Sequence, residues 1–552
     1  MGVDAGPVAA PAAPKASMLP IAVLAAAQFI MVLDTTVMNV AISQIVIDLD
    51  TSITSVQAAI TLYTLVMAAF MLTGSRMGDL FGRRKILGIG LVVYGTGSFI
   101  TAISPNMTVL YFGWSFIEGF GAVLVIPALA TLIVANYSGA QRALAYGILA
   151  AAMGAGAGLG PLIGGFATTE FSWRYVFAAE SVVVVLVLLV LPRIGDAPRS
   201  AHKVRMDYVG AVLSAIGLGL VVFAILKTGS WGWIQPSGAL TIGGTEITPL
   251  GLSVVPFMIA AGLFVLGGFL RYEAKLAAAG RDPLLDPAIL RIGPLQNGLG
   301  MMATQQTILA GTFFILPVYL QVVLGLDALE TGVRLLPLSL ALIVMSGIGG
   351  RLGGKVAPRT IVTAGVGVLL VGIVVLLATI QPELNGLRFT FAMLLAGGGI
   401  GLALSQIGNV IMSSVGSDEA NAASGLQGTA QNLGASLGTA LIGSVLIIGL
   451  TSGVQDRLAT DTALPKDVRE QLVEGTAGGV EIITSDEAAA KLADAGLTPD
   501  QVDEAVAIYE DSRLDGLRTA LFLAAILALL AVPVARRLPD KPLATGEAAA
   551  AP

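Results

Sequence analysis

The sequence contains no cysteine and a single histidine, His202, which excludes disulfides, thiolate nucleophiles and any thiolate or multi-histidine metal site. Charge is scarce as well: Asp, Glu, Lys and Arg together make up 12% of 552 residues, where an ordinary soluble domain carries about a quarter. No nucleophile and base stand in a recognisable constellation, so an enzyme is not expected, nor a cofactor. With a net charge of -6 and its bases scattered through short loops, the chain has no basic surface to offer a nucleic acid. The opening MGVDAGPVAAPAAPKAS lacks the basic start, short apolar core and cleavage site of a signal peptide, and residues 1–18 read as a disordered cytoplasmic tail.

What the chain has is apolar length. It is 55% hydrophobic with a mean hydropathy of +0.85, and a helix needs about 20 apolar residues to cross a bilayer. That template fits fourteen times: 20–46, 55–79, 84–103, 107–136, 142–166, 173–192, 208–228, 250–272, 295–324, 329–353, 360–380, 388–414, 420–450 and 515–535. The fold class is therefore an all-α polytopic membrane protein. An even count puts both termini on one side. If that side is cytoplasmic, the inner loops receive Arg83, Arg84 and Lys85, then Arg142, the groups Arg193–Arg205 and Arg271–Arg291, and Arg351, Lys355 and Arg359. The short outer loops hold chiefly Arg174 and Arg388, so the positive-inside pattern supports this orientation in the cell membrane.

The chain also repeats itself. Arg76-Met77-Gly78 returns as Arg351-Leu352-Gly353, and Gly156-x-x-x-Gly160 returns as Gly434-x-x-x-Gly438. Two six-helix halves at this spacing leave the seventh and eighth spans as an insert. The expected organisation is a six-helix bundle at 19–192, a two-helix insert with its loops at 193–294, a second bundle at 295–537 and a cytoplasmic tail at 538–552. The second bundle includes an outer segment, 452–514, with fourteen acids against five bases. Thr484-Ser485-Asp486 and Thr498-Pro499-Asp500 are helix-start signals, so this segment is expected to be a short helical hairpin, a solvated cap whose acidity also suits it to draw cations.

Several stretches resemble the major facilitator superfamily, and in particular its fourteen-span drug:proton antiporter branch. In GSRMGDLFGRRK, residues Gly78, Asp79, Gly82, Arg83 and Arg84 fill the family's loop between the second and third helices. In the family the acid corresponding to Asp79 latches the two halves on the cytoplasmic side. The second copy has Gly354 opposite Asp79, so only the first half is expected to carry a strong latch. In MVLDTTVMNVAIS, residues Leu33, Asp34, Thr36, Asn39, Val40 and Ala41 match the branch's first-helix signature. Gly156, Gly160, Pro161, Gly164 and Gly165 match the antiporter motif of the fifth span, which implies export. The fold implied is two six-helix bundles plus two inserted central helices.

A charge at the bilayer centre costs about 2.5 to 3.5 kcal/mol on the insertion scale, so the three acids inside spans are candidates for function. Asp34 leads as a protonatable or cation-binding residue, with helix packing as the plain alternative. Glu118 is second. Here the chain departs from the family: Ser115 stands where the fourth helix usually has an arginine associated with proton coupling, and Glu118 stands where it has glutamine. Glu180 is third, a vestibule acid or a structural partner of Arg174. Thr36, Asn39 and Ser115 are the polar neighbours expected to help bind protons or substrate. Trp114, Trp173, Trp231 and Trp233 read as interface anchors, Met38, Met67 and Phe314 as core or lipid-facing, and His202 as solvated in an inner loop.

The resemblance thus implies a monomeric secondary transporter that exports amphipathic or cationic small molecules, multidrug-type, in exchange for protons, with membrane lipid around it. Asp34 or Glu118 is expected to meet water. Two other readings stay open: export of an endogenous metabolite, lipid or antibiotic with weak or no proton coupling, and a non-transporting membrane sensor or scaffold.

Overall fold

A backbone inside hydrocarbon finds no water, so its amides must be satisfied within the segment that crosses. In the computed structural model this chain answers with long helices and one short hairpin, Leu240–Ile242 paired antiparallel with Thr245–Ile247. The structure describes all residues except 1–17, 138, 197–205, 237–239, 243–244, 417–418, 477–478 and 543–552. His202, nearly all of the expected N-terminal tail and most of the C-terminal one lie outside the described residues, as does the side chain of Asp79.

Every one of the fourteen expected spans is helical. They are α1 (Leu19–Val40), α2 (Ile53–Phe81), α3 (Arg83–Ala102) and α4, which runs through Met107–Leu110, a π-helical Tyr111–Glu118 and Gly119–Asn136. Then come α5 (Gly139–Glu170), α6 (Arg174–Val190), α7 (Tyr208–Leu226) and α8 (Val255–Ala278). The second half has α9 (Gly293–Val318, continued by a π-helical Tyr319–Val323), α10 (Ala328–Leu352), α11 (Pro358–Leu377), α12 (Gly386–Ser413), α13 (Ala420–Thr460) and α14 (Pro499–Ala535). Among the described residues thirteen helices are long and apolar enough to cross a membrane; α5, the other expected span, is a 32-residue helix outside that set.

Polar caps fix where the helices begin. Ser52 accepts from the Ser55 amide, Asn106 from Val109, Asp207 from Gly210 and Asn385 from Arg388, while Asp327 and Glu330 form a reciprocal capping box. Segment 452–514 is more helical than a hairpin set on short spans. Helices α13 and α14 extend into it from both sides, and between them lie Lys466–Gly475 and Ser485–Asp494, the latter opened by a Thr484–Glu487 capping box. This cap is pinned to the bundle by Arg513, 3% exposed, which donates to the carbonyls of Val322 and Ile483 and to Ser485.

The repeat read in the sequence is a repeat in packing. Gly156, Gly160 and Gly164 of α5 lie against Val32, Thr36 and Val37 of α1, and Gly434 and Gly438 of α13 lie against the Ala303 and Thr307 carbonyls of α9. In both places the absent side chain lets two backbones approach, as small residues do in membrane helix pairs. The insert α7–α8 closes on itself, Gly217 against Leu266 and Gly262 against Val221, and α7 sits beside α2 and α13, accepting from Ser444 at Ile225.

The two halves meet along three seams. Gln321 of α9 donates to the Val40 carbonyl of α1, at 2.6 Å. Gln57 of α2 donates to Thr439 of α13 at 2.8 Å, and Ser436 donates back to Thr61. Gly165 and Pro161 of α5 touch the backbones of Ala328 and Gly332 of α10. These contacts lie toward the face that carries the 461–498 cap, the cap face; the α2–α13 seam also runs toward the opposite, loop face, which carries Gly74–Lys85, with Gly428 against Met71 and Gly425 against Leu72.

Candidate functional site

Asp34, Glu118 and Glu180 come from three helices and meet inside the first half. One oxygen from each lies within 4.8 Å of the others. Asp34 and Glu118 are 0% exposed and Glu180 is 2% exposed, so the expectation of a water-accessible Asp34 or Glu118 is not met in this conformation. The acids face each other within the α1–α3–α4–α6 packing and are shut off from both membrane faces.

The site is assembled by α4. A π segment closes i→i+5 hydrogen bonds and is a rare, usually functional departure from the α-helix. Its turn takes more than four residues, so Trp114 and Glu118 come nearly into line on one side. Trp114 Nε1 donates to Asp34 Oδ1 at 2.7 Å, and the indole stacks flat on Tyr63 of α2, centroids 4.6 Å apart and 6° from parallel. Trp114 is therefore not an interface anchor. It is fully buried and holds α1 to α4 through the acid. Gly97 of α3 faces the Glu118 backbone, and only hydrogen in place of a side chain leaves room for that approach.

Glu180 does not pair with Arg174. Six residues separate them, which on a helix of 3.6 residues per turn puts them on different faces. Arg174 instead pairs with Asp48 at 3.0 Å and lies over the Trp173 ring, whose Nε1 also donates to Asp48. Glu180 Oε2 turns to α3, 3.1 Å from the Ser98 hydroxyl and 3.4 Å from that of Tyr94. Four carboxyl oxygens then have no hydrogen-bond partner: Asp34 Oδ2, both of Glu118 and Glu180 Oε1.

The other expected site residues are not in this cluster. Thr36 donates to its own helix at Leu33 and packs on Gly160, Asn39 donates to Thr35, and Ser115 anchors the π segment to Ala59 of α2. Tyr63, Tyr94 and Ser98 belong to the site and were missed. Their signal was present: polar groups inside apolar spans, with Tyr94 and Ser98 four apart on one face of α3.

No Lys, Arg or His is buried in α1–α6 among the described residues. Three ionised carboxylates at this spacing would repel by about 3 to 4 kcal/mol per pair at an effective dielectric constant of about 20. The arrangement is fit to hold small cations: protons, or a hard metal ion, which takes oxygen ligands.

On the loop face, Gly82 turns the chain between α2 and α3 at φ 94°, a value that favours glycine. Arg84 donates to the carbonyls of Pro192 and Ile194, and its amide meets Asp196. It thereby ties the loop to the end of α6 in the same half. Arg76 reaches the Pro283 carbonyl in the segment leading from the insert to α9, a link toward the second half. The Asp79 part of the expected latch lies outside the described residues.

Residues 24–439 match the Major Facilitator Superfamily, over this same helical order. The chain belongs to that family. As a major facilitator protein it is a membrane transporter and not an enzyme. It is 31% identical over 427 residues to the puromycin resistance protein pur8 of Streptomyces alboniger, covering 77% of this chain and 80% of that one. It is 28% identical to the probable actinorhodin transporter of Streptomyces coelicolor, covering 94% and 91%. A bacterial homologue of the human lysosomal transporter Spinster, solved in an inward-facing and occupied conformation, superposes with a TM-score of 0.59 over 95% of this chain and 97% of that one. At 15% identity this last likeness speaks for the major facilitator fold alone.

Proposed function

We propose that this protein exports hydrophobic or cationic small molecules, multidrug-type, in exchange for protons, by alternating access of its two halves. The observation that carries the reading is the trio Asp34, Glu118 and Glu180, buried without a cationic side chain in a family of transporters. A proton gradient supplies the energy and no cofactor is needed. The names of the relatives, a puromycin resistance protein and an actinorhodin transporter, support export of drug-like compounds. The protein works as a monomer among the lipids of the cell membrane, with the loop face and both termini in the cytoplasm and the acidic cap outside.

In this orientation Gln321–Val40, Gln57–Thr439 and the α5–α10 seam join the halves on the outer side. The glycine and proline motif of α5 lies between the two parts that must move together. Its Gly156, Gly160 and Gly164 face grips α1 beside Asp34, and its Gly165 face rests on α10 of the other half. Rocking of the halves therefore acts on the helix that carries the leading acid. Opened outward, the acids take up protons. Opened inward, they release them and leave a negative centre to which a cationic or amphipathic substrate is drawn, so each ligand shifts the population by its differential affinity.

The test uses purified protein in vesicles. An imposed proton gradient is expected to drive a lipophilic cation such as tetraphenylphosphonium against its own gradient, and an uncoupler to stop it. Uphill movement that survives complete collapse of the proton gradient would defeat the reading.

A further inference from the structure

The oxygens of the acid cluster can be counted. Three carboxyls bring six oxygens. Two are already engaged, Asp34 Oδ1 by Trp114 and Glu180 Oε2 by Ser98, with Tyr94 beside it. Asp34 Oδ2, Glu118 Oε1, Glu118 Oε2 and Glu180 Oε1 are left, all buried and all without a donor. A buried acceptor without a donor is costly, and Glu118 has none for either of its oxygens.

One proton shared between two carboxyls serves two oxygens, the one that bears it and the one that accepts. Two shared protons serve four, which is the number left over. One would run between Asp34 and Glu118 and the other between Glu118 and Glu180, with Glu118 as the middle member. The remaining single negative charge is spread over groups that already face donors, Trp114 on one side and Ser98 and Tyr94 on the other. A divalent metal ion fits less well. Calcium takes 6–8 oxygens and magnesium about six, and four free oxygens in a closed site fall short.

We infer that Asp34, Glu118 and Glu180 form one proton-sharing unit that carries two protons when closed, so that two protons move for each substrate exported. This rests on the proton-exchange reading above and adds to it a number and a third member, Glu180. The titratable groups facing the unit are Tyr63 from α2, Tyr94 from α3 and the three acids themselves; α5 meets α1 there through glycines, and no base intervenes among the described residues.

The deciding experiment measures the balance point of exchange. Vesicles holding the purified protein are clamped at zero membrane voltage and given a tenfold gradient of tetraphenylphosphonium, and the opposing pH difference that stops net flux is found. Two protons per cation place that balance at about half a pH unit, and one proton at about one pH unit. Wild type is expected at the lower value, and Glu118→Gln and Glu180→Gln at the higher one, because each amide leaves a single proton to share. A wild-type balance at about one pH unit overturns the two-proton unit and leaves proton exchange standing. Glu180→Gln balancing where wild type does removes Glu180 from the unit. Flux that ignores pH, or that follows an imposed sodium or calcium gradient instead, overturns the proton-exchange reading itself.

Discussion

The two halves of this molecule share a packing plan and differ in what they bury. Each sets a glycine-bearing helix against its first helix, α5 on α1 and α13 on α9, and each contains a π segment. The first half buries three carboxyls with unmet oxygens. Among the described residues the second half buries no carboxyl; its buried polar side chains are Arg513, a set of hydroxyls and three amides bonded to backbone, Gln305 to Ile400, Gln321 to Val40 and Gln406 to Gly349. The π segments differ accordingly. That of α4 presents Glu118 to other acids, whereas that of α9 presents Gln321 to the partner half. Duplicated architecture therefore gives the rocking motion its symmetry, while the chemistry that would drive it sits in one half.

This contrast can be broken most sharply at Asp34. Asp34→Asn keeps an oxygen for the Trp114 indole, so the protein is expected to fold, yet proton-driven accumulation in vesicles should fall to that of protein-free controls. Next in size, Trp114→Phe keeps the stack on Tyr63 and removes the donor to Asp34. A loss of about 1.5 to 3 kcal/mol is expected for a hydrogen bond to a charged group, read as a lowered melting temperature in detergent. Gly165→Val forces a side chain into the Ala328 carbonyl and should destabilise by about 1 to 3 kcal/mol. Gly438→Val, which crowds α9 within one half, should destabilise as much. Only the former wedges the seam between halves, so only it should depress transport further than its stability loss explains.

Smaller effects mark the second half and the surface. Gln305→Met removes an amide bonded to Ile400 and should cost about 0.5 to 1.5 kcal/mol, with proton coupling retained. Smallest is Arg174→Gln. It breaks a partly exposed pair with Asp48, where about 0 to 1 kcal/mol is expected and coupling should be untouched. Had Arg174 neutralised Glu180, the same substitution would disturb coupling, so this variant also checks that the cluster is free of that base.

Much of the fold was legible because the bilayer imposes a length and forbids unpaired backbone. Span positions, the helix starts at Thr484 and Thr498, and the repeat followed from local composition. The acids could be named one at a time, each conspicuous in an apolar run. Their meeting could not be read, because it depends on how α1, α4 and α6 rotate against α3. A π turn in α4 sets part of that rotation, and sequence spacing assumes an α-helical period. The same limit explains two errors. Trp114 looks like an interface residue by its place in the span but lies at the heart of the bundle, and Arg174, one of the two readings for Glu180, is near it in sequence but separated from it by helical geometry. Closure of the site was equally invisible, since exposure belongs to one conformation of a moving protein.

The central claim is that the first half's buried acids carry protons in exchange for substrate. Its most direct test follows a pH-sensitive dye trapped inside vesicles as tetraphenylphosphonium is added outside, for wild type, Asp34→Asn and Gln305→Met side by side. The account predicts a change of internal pH with wild type and Gln305→Met, and none with Asp34→Asn even while the cation still moves down its gradient. A pH response of wild-type size from Asp34→Asn would contradict it.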